Sequence, residues 1–238
     1  MKRSRLATTA WEERATRMQD EWKTVLHRED AGAVTEAARW RERLESMRQE
    51  QARLKAAGAW TTGPATLMGA LWLQNSEVVL TRALAWLLRP DGRHGLGSAS
   101  LDGLAAHLGL VAPGSDARVV TEESRELTGS DGSPALTRAD LVVYAREWTL
   151  VVEAKVFAPE QPDQLDRLHS LWADEVNPCF VYLTRGERTP LTARTSAGCW
   201  RGMSWWHVAG VLRTATEGRS VNPGVQDFVH TLEAYHRA

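Results

Sequence analysis

Asp140-Leu-Val-Val-Tyr-Ala-Arg-Glu-Trp-Thr-Leu-Val-Val-Glu-Ala-Lys155 holds two apolar, β-branched runs on either side of Ala145-Arg146-Glu147-Trp148. Such runs around a short polar break predict a β-hairpin, with strands over Leu141–Tyr144 and Thr149–Val156 that are both central in a sheet. Side chains alternate across a strand, so Glu153 and Lys155 emerge on one face while Val152 and Ala154 point to the other. Asp140 opens the partner strand, and folding back across the turn brings its carboxylate toward Glu153 at the same end of the sheet.

Two carboxylates at close range repel unless a cation sits between them, and a hard divalent ion takes oxygen ligands. Asp140, Glu153 and the Ala154 carbonyl are therefore the expected ligands of Mg²⁺ or Mn²⁺. Such an ion lowers the pKa of bound water and neutralises a scissile phosphate, with Lys155 orienting that water or stabilising a pentavalent oxyanion. The chain has 29 Lys+Arg but four Lys, and Lys155 is the sole Lys after Lys55. Arg cannot deprotonate and presents a wide fork, so a water-activating position favours Lys. The plain alternative is a strand-end salt bridge among the same side chains.

Working outward, Asn75-Ser76-Glu77 precedes an apolar face at helical spacing, Val78 to Leu87, that Pro90 stops. A glycine-rich loop over Asp91–Ser98 lacks the Lys-Ser/Thr of a phosphate-cradling loop. A short helix over Leu101–Leu108 and a strand over Arg118–Thr121 follow. Beyond the hairpin come a helix from Asp163 to about Ala173, a strand over Cys179–Leu183, and helices over Trp205–Thr214 and Val225–Tyr235.

Residues 1–59 read differently, being charged and poor in Pro and Gly. Trp11, Ala15, Met18, Trp22 and Val25 form one helical stripe; Ala37, Trp40, Leu44, Met47 and Leu54 form a second, out of phase with it. Turn-compatible residues at Arg28–Gly32 lie between them, so a helical hairpin or coiled-coil arm is expected, serving a homodimer or a protein partner. Gly58, Gly63 and Pro64 mark the boundary of a main domain over 60–238.

With these elements in place, the chain resembles the PD-(D/E)XK nuclease superfamily over residues 75–214. Asp140 and Glu153-Ala154-Lys155 stand in the signature positions, and the helix, three strands, helix, strand order is that of its core. Ala139 replaces the signature Pro, which has no chemical role. Within the superfamily the chain is similar to a bacterial subgroup with an early Glu before an LAWLL-Pro helix and EQPDQL after the Lys, here Glu77, Leu84–Pro90 and Glu160–Leu165. The resemblance implies an α/β, restriction-endonuclease-like mixed central sheet flanked by helices, and a metal-dependent nuclease acting on nucleic acid, DNA first, in defence against foreign DNA. It further implies that Glu77 reaches the metal site, and that Gln161 or Gln164 contacts the site or the substrate backbone. The alternative is a catalytically silent interaction or sensor module on the same fold.

Arg185, Arg188, Arg194 and Arg201 are the candidate phosphate contacts. His94 and His207 read as packing, and Trp72, Trp86, Trp148 and Trp172 as core. Cys179 and Cys199, without a CxxC or zinc-ligand His spacing, read as two buried thiols. A net charge of −1 gives no global attraction to nucleic acid. No stretch is long and apolar enough for a membrane span, and the charged N-terminus lacks a signal-peptide pattern, so a cytoplasmic protein is expected.

Overall fold

The structure, a computed structural model, describes the backbone of residues 3–59, 61–128 and 134–237, and the side chains of 13–25, 32–59, 61–126 and 136–235. The chain divides into two compact units, Met1–Thr62 and Gly63–Ala238.

The first unit is one helix, α1 (Arg3–Ala56), of 54 residues. This corrects the expected hairpin, because the backbone runs through Arg28–Gly32 without a turn. Arg, Glu and Ala are compatible with a helix, and one Gly costs only about 1 kcal/mol against Ala, too little to stop a helix propagating from both sides. The two apolar stripes differ in phase only on a seven-residue repeat. At 3.6 residues per turn the spacing from Trp22 to Trp40 is about five whole turns, which puts both stripes on one face. Met18, Trp22, Val25, Trp40, Leu44 and Met47 are exposed along it; the side chain of Trp11 lies outside the described residues. The helix stops where Gly58 takes a φ of +66°, and Ala59 N donates to Leu54 O at 2.8 Å. A left-handed glycine with this bond is a common helix terminator.

The second unit is α/β. Strands β1 (Arg118–Thr128), β2 (Pro134–Tyr144), β3 (Thr149–Ala154), β4 (Pro178–Thr184) and β5 (Trp200–Ser204) lie side by side in chain order. The β1–β2 and β2–β3 pairs are antiparallel, while β3–β4 and β4–β5 are parallel, so the sheet is mixed. Around it lie the one-turn α2 (Leu67–Ala70), then α3 (Glu77–Leu88), α4 (Ala99–His107), α5 (Gln164–Trp172), α6 (Trp205–Thr216) and α7 (Pro223–Glu233).

All six residues of β3 are buried, because the middle strand is covered on both faces. Leu150 and Val152 pack into the core shared with α3, α4, α6 and α7. Val151 faces the opposite way, with Val142, Phe180, Leu168 and Trp172 in the core beneath α5. The hairpin closes through Ala145 N donating to Trp148 O at 3.0 Å, and Trp148 Nε1 donates to Val111 O at 2.8 Å.

Trp148 and Trp172 are buried as expected, but Trp72 is 84% exposed. It follows the single turn of α2 with a φ of +59°, so the backbone turns it away from the core. Cys179 is buried and Cys199 is exposed, which corrects the second thiol: Cys199 ends a short 3-10 turn outside β5. No helix among the described residues is long and apolar enough to cross a membrane.

Substituting Gly32→Ala should raise the stability of α1 by about 1 kcal/mol, read as stronger helical circular dichroism on heating the full chain. A turn at this position would respond with a loss.

Candidate active site

The β2–β3 register pairs Leu141 with Val152, so the next position sets Asp140 opposite Glu153. Asp140 Oδ2 accepts from Ala154 N at 2.8 Å, a side chain completing the ladder where the strand ends. Glu153 is 1% exposed. Its Oε1 accepts from Lys155 Nζ at 2.5 Å and from Gln164 Nε2 at 2.9 Å, while its Oε2 is buried and has no partner.

Glu77 opens α3, and its Oε1 accepts from Val156 N at 2.8 Å and Ala158 N at 3.2 Å. Its Oε2 lies 4.0 Å from Lys155 Nζ. Glu77 therefore holds the segment leaving β3 and contributes a third carboxylate. Gln164 enters from the first turn of α5, directly after Asp163, whose φ of +55° is left-handed. Asp140, Glu153, Lys155, Glu77, Gln161 and Gln164 all line one cleft of about 350 Å³.

Burial, with the Asp140 carboxylate adding to it, pushes the Glu153 carboxyl up to about 8. Burial also raises Asp140, against the Ala154 hydrogen bond and Lys155. Burial lowers Lys155, yet Glu153, Asp140 and Glu77 outweigh it and carry the ammonium upward. Three carboxyl groups converge on one ammonium, one of them, Glu153, holding its proton up to about pH 8 without a metal; a divalent cation among them would favour their ionised forms.

The unpartnered Glu153 Oε2, on the residue paired across the ladder with Asp140, fits such an ion. Among the described residues, no three His, Cys, Asp or Glu side chains are gathered as a ready-made cage.

Arg185 and Arg188 are not among the residues lining this cleft. The Arg185 guanidinium lies over the rings of Phe157 and Tyr235, 5.0 and 5.3 Å from their centroids, and Arg188 N donates to Thr184 Oγ1. Arg194 sits 3.6 Å from Asp163, and Arg201 in β5 donates to Leu108 O. The arginines at the cleft are instead Arg138 of β2 and Arg167 of α5. His94 is fully buried and bonded within its own loop; His207 completes a capping box with Ser204 at the start of α6.

Three further acids matter and carried no spacing signal. Glu122 takes a φ of +54° inside β1. The β1–β2 register continues on both sides of it, but the pair that would oppose it to Asp140 is missing. Its carboxylate pairs with Arg82 at 2.6 Å and Arg138 at 3.1 Å. Glu160 accepts from Leu191 N and Thr192 N, and Asp166 from the backbone N–H of Arg194, Thr195 and Ser196. These two carboxylates tie the loop after β4 to the segment that carries Gln161 and Gln164. Desolvation pushes the Asp166 carboxyl up, but five N–H and hydroxyl bonds together outweigh it and hold the group well below the usual carboxylate range.

No protein-family model, curated protein or solved structure matches the chain.

Below about pH 4.5, the ordinary value for this group, Glu153 is neutral in folded and unfolded chains alike. Above it the unfolded chain ionises Glu153 while the folded chain keeps the proton, so stability falls with rising pH until the folded group also ionises near 8. Glu153→Gln removes this loss. In chelator, the melting temperature of Glu153→Gln relative to the unsubstituted chain should rise by roughly 5 °C or more between acidic and mildly alkaline pH; a constant difference would show that Glu153 is ionised throughout.

Proposed function

We propose that this chain is a divalent-metal-dependent phosphodiesterase acting on nucleic acid, DNA first, with a restriction-endonuclease-like core. The observation that carries the reading is the division of labour on Glu153, the residue across the ladder from Asp140: one buried oxygen is bonded to Lys155 and Gln164, and the other has no partner. A salt bridge alone accounts for the first oxygen and leaves the second costing a desolvation with nothing in return. The resemblance to PD-(D/E)XK nucleases adds support, since α3, β1, β2, β3, α5 and β4 follow in that order and Asp140, Glu153 and Lys155 sit at the ends of adjacent strands.

In this proposal Asp140, the free Glu153 oxygen and the Ala154 carbonyl would hold Mg²⁺ or Mn²⁺, with Glu77 the nearest further carboxylate. The ion supplies charge neutralisation and a water of lowered pKa. Lys155, kept charged by its carboxylates, donates to a phosphate oxygen as negative charge builds there. Gln164 fixes the Glu153 side chain, so that its free oxygen keeps one orientation. Glu77 keeps the Val156–Ala158 backbone, and with it Lys155, against the cleft. Gln161, on the cleft wall, is placed to contact the substrate backbone. Arg138 and Arg167 replace Arg185 and Arg188 as the arginines nearest a bound phosphate.

The partner surface in this reading is the exposed apolar face of α1, for a second copy or another protein, and defence against foreign DNA is the setting. The second reading, a silent sensor module, is favoured by Glu77, Glu160 and Asp166, whose carboxylates hold backbone N–H groups around the cleft and stabilise the fold without any reaction.

Linear, circular and single-stranded DNA, and RNA, should be offered with Mg²⁺ or Mn²⁺. Cleavage should fall roughly 10²–10³-fold in Lys155→Ala and be lost in Asp140→Ala. Independently, Mg²⁺ or Mn²⁺ should raise the melting temperature of the unsubstituted chain and leave that of Asp140→Ala unmoved. No cleavage and no metal-induced shift would leave the sensor reading standing.

A further inference from the structure

Beside the cleft, three side chains form a column: the Tyr235 ring, the Arg185 guanidinium and the Phe157 ring, with Arg185 over both rings. Its inner end is anchored, since Tyr235 is buried and its hydroxyl donates to Gln74 O. Arg185 Nε is buried and bonded to nothing, so the guanidinium is held by the rings rather than by an acceptor. The outer end is open: Phe157 is 61% exposed. Phe157 lies two residues beyond Lys155, at most about 7 Å of extended chain, and directly precedes Ala158, which lines the cleft. Leu136 on β2 lines the same cleft and is 68% exposed.

Each cation at this cleft already has a partner: Lys155 is bonded to Glu153, Arg138 is paired with Glu122, and Arg167 donates to Pro162 O. A contact that does not depend on charge adds to what they offer a nucleic-acid ligand, and an aromatic face held from behind supplies one by stacking on a base. In a duplex the base faces are already stacked on one another and cannot lie on a ring outside the helix; an unpaired nucleotide can.

We infer that Phe157, backed by Arg185 and Tyr235, is a base-stacking residue for the nucleotide next to the scissile phosphate, and that the substrate is single-stranded or locally unpaired nucleic acid. This rests on the nucleic-acid reading above and narrows it. Arg185 then acts as a positioning residue for Phe157 and not as a phosphate contact.

The test is fluorescence anisotropy on the full chain carrying Lys155→Ala, so that the probe is not consumed, in Mg²⁺. The probes are a fluorescein-labelled oligothymidylate, the same strand with abasic tetrahydrofuran units in place of the thymidines, and a blunt duplex of equal length. The oligothymidylate should bind about tenfold more tightly than the abasic strand. Phe157→Ala in the same background should abolish that preference with the melting temperature unchanged, and Phe157→Trp should retain it. Equal binding of the first two probes, preference for the duplex, or a preference that survives Phe157→Ala would overturn the inference and leave the ring to a protein contact. Metal-dependent cleavage by the unsubstituted chain is read separately. Cleavage without base preference removes the role of Phe157 and keeps the nuclease reading, whereas a Phe157-dependent base preference without cleavage keeps the stacking role and removes the nuclease.

Discussion

Glu153 is a carboxyl at 1% exposure in the middle strand of the sheet, and the arrangement around it exists to make that burial tolerable. An ionised carboxylate stripped of water costs several kcal/mol unless it is paired and fully hydrogen-bonded. Lys155 and Gln164 satisfy one of its oxygens. The other is left open, next to a second carboxylate that makes ionisation harder still. Burial of Glu153 follows from the position of β3, since a strand covered by α5 on one side and by α3, α4, α6 and α7 on the other offers no solvent until it ends. Lys155 leaves the strand where water begins and is the first residue that can carry a charge to the cleft.

The helices and loops around this strand end are set by carboxylates acting on backbone. Glu77 draws Val156 and Ala158 to the start of α3. Glu160 and Asp166 draw in residues 191–196. Asp140 does the same to Ala154. Each is a charged acceptor bonded to N–H groups, among the stronger hydrogen bonds available to a protein. The effect is to gather α3, α5 and the loop after β4 around one strand end with few side chains spent on apolar contact there. Glu122, with its left-handed φ in β1, belongs to the same region: the ladder opens opposite Asp140 and frees that position from its neighbour.

The hairpin was legible because its signals are local. β-branched alternation and a four-residue break determine which residues face each other, and Asp140 and Glu153 follow from that register alone. Gln164 was legible only through the resemblance, since nothing in its spacing says that α5 turns its first residue toward the sheet. The continuous α1 was obscured by counting in sevens, when a single helix follows 3.6. β5 was missed because Trp200-Arg-Gly-Met-Ser204 has neither alternation nor length, and its pairing with β4 is long-range. The arginines after β4 looked like a phosphate patch because they are close in sequence. The loop folds them apart, and Arg138 and Arg167, distant in sequence, meet at the cleft.

Charge also explains what kind of ligand this cleft suits. The chain carries a net −1, and its cleft sets Glu77, Asp140 and Glu153 against Lys155, Arg138 and Arg167, so its lining offers a polyanion no excess of cationic side chains. In the proposed function a bound divalent ion would add positive charge where the scissile phosphate sits, but only there, because its field is screened within about a Debye length in physiological salt. The flanking phosphates would meet arginines that already have partners. Recognition of a neighbouring nucleotide would then fall to its apolar face, against Leu136 in the cleft and the exposed Phe157 next to Ala158. On the proposed reading, metal for the reacting phosphate and an aromatic ring for the base beside it would divide the task between two interactions, neither of which requires a strongly basic surface.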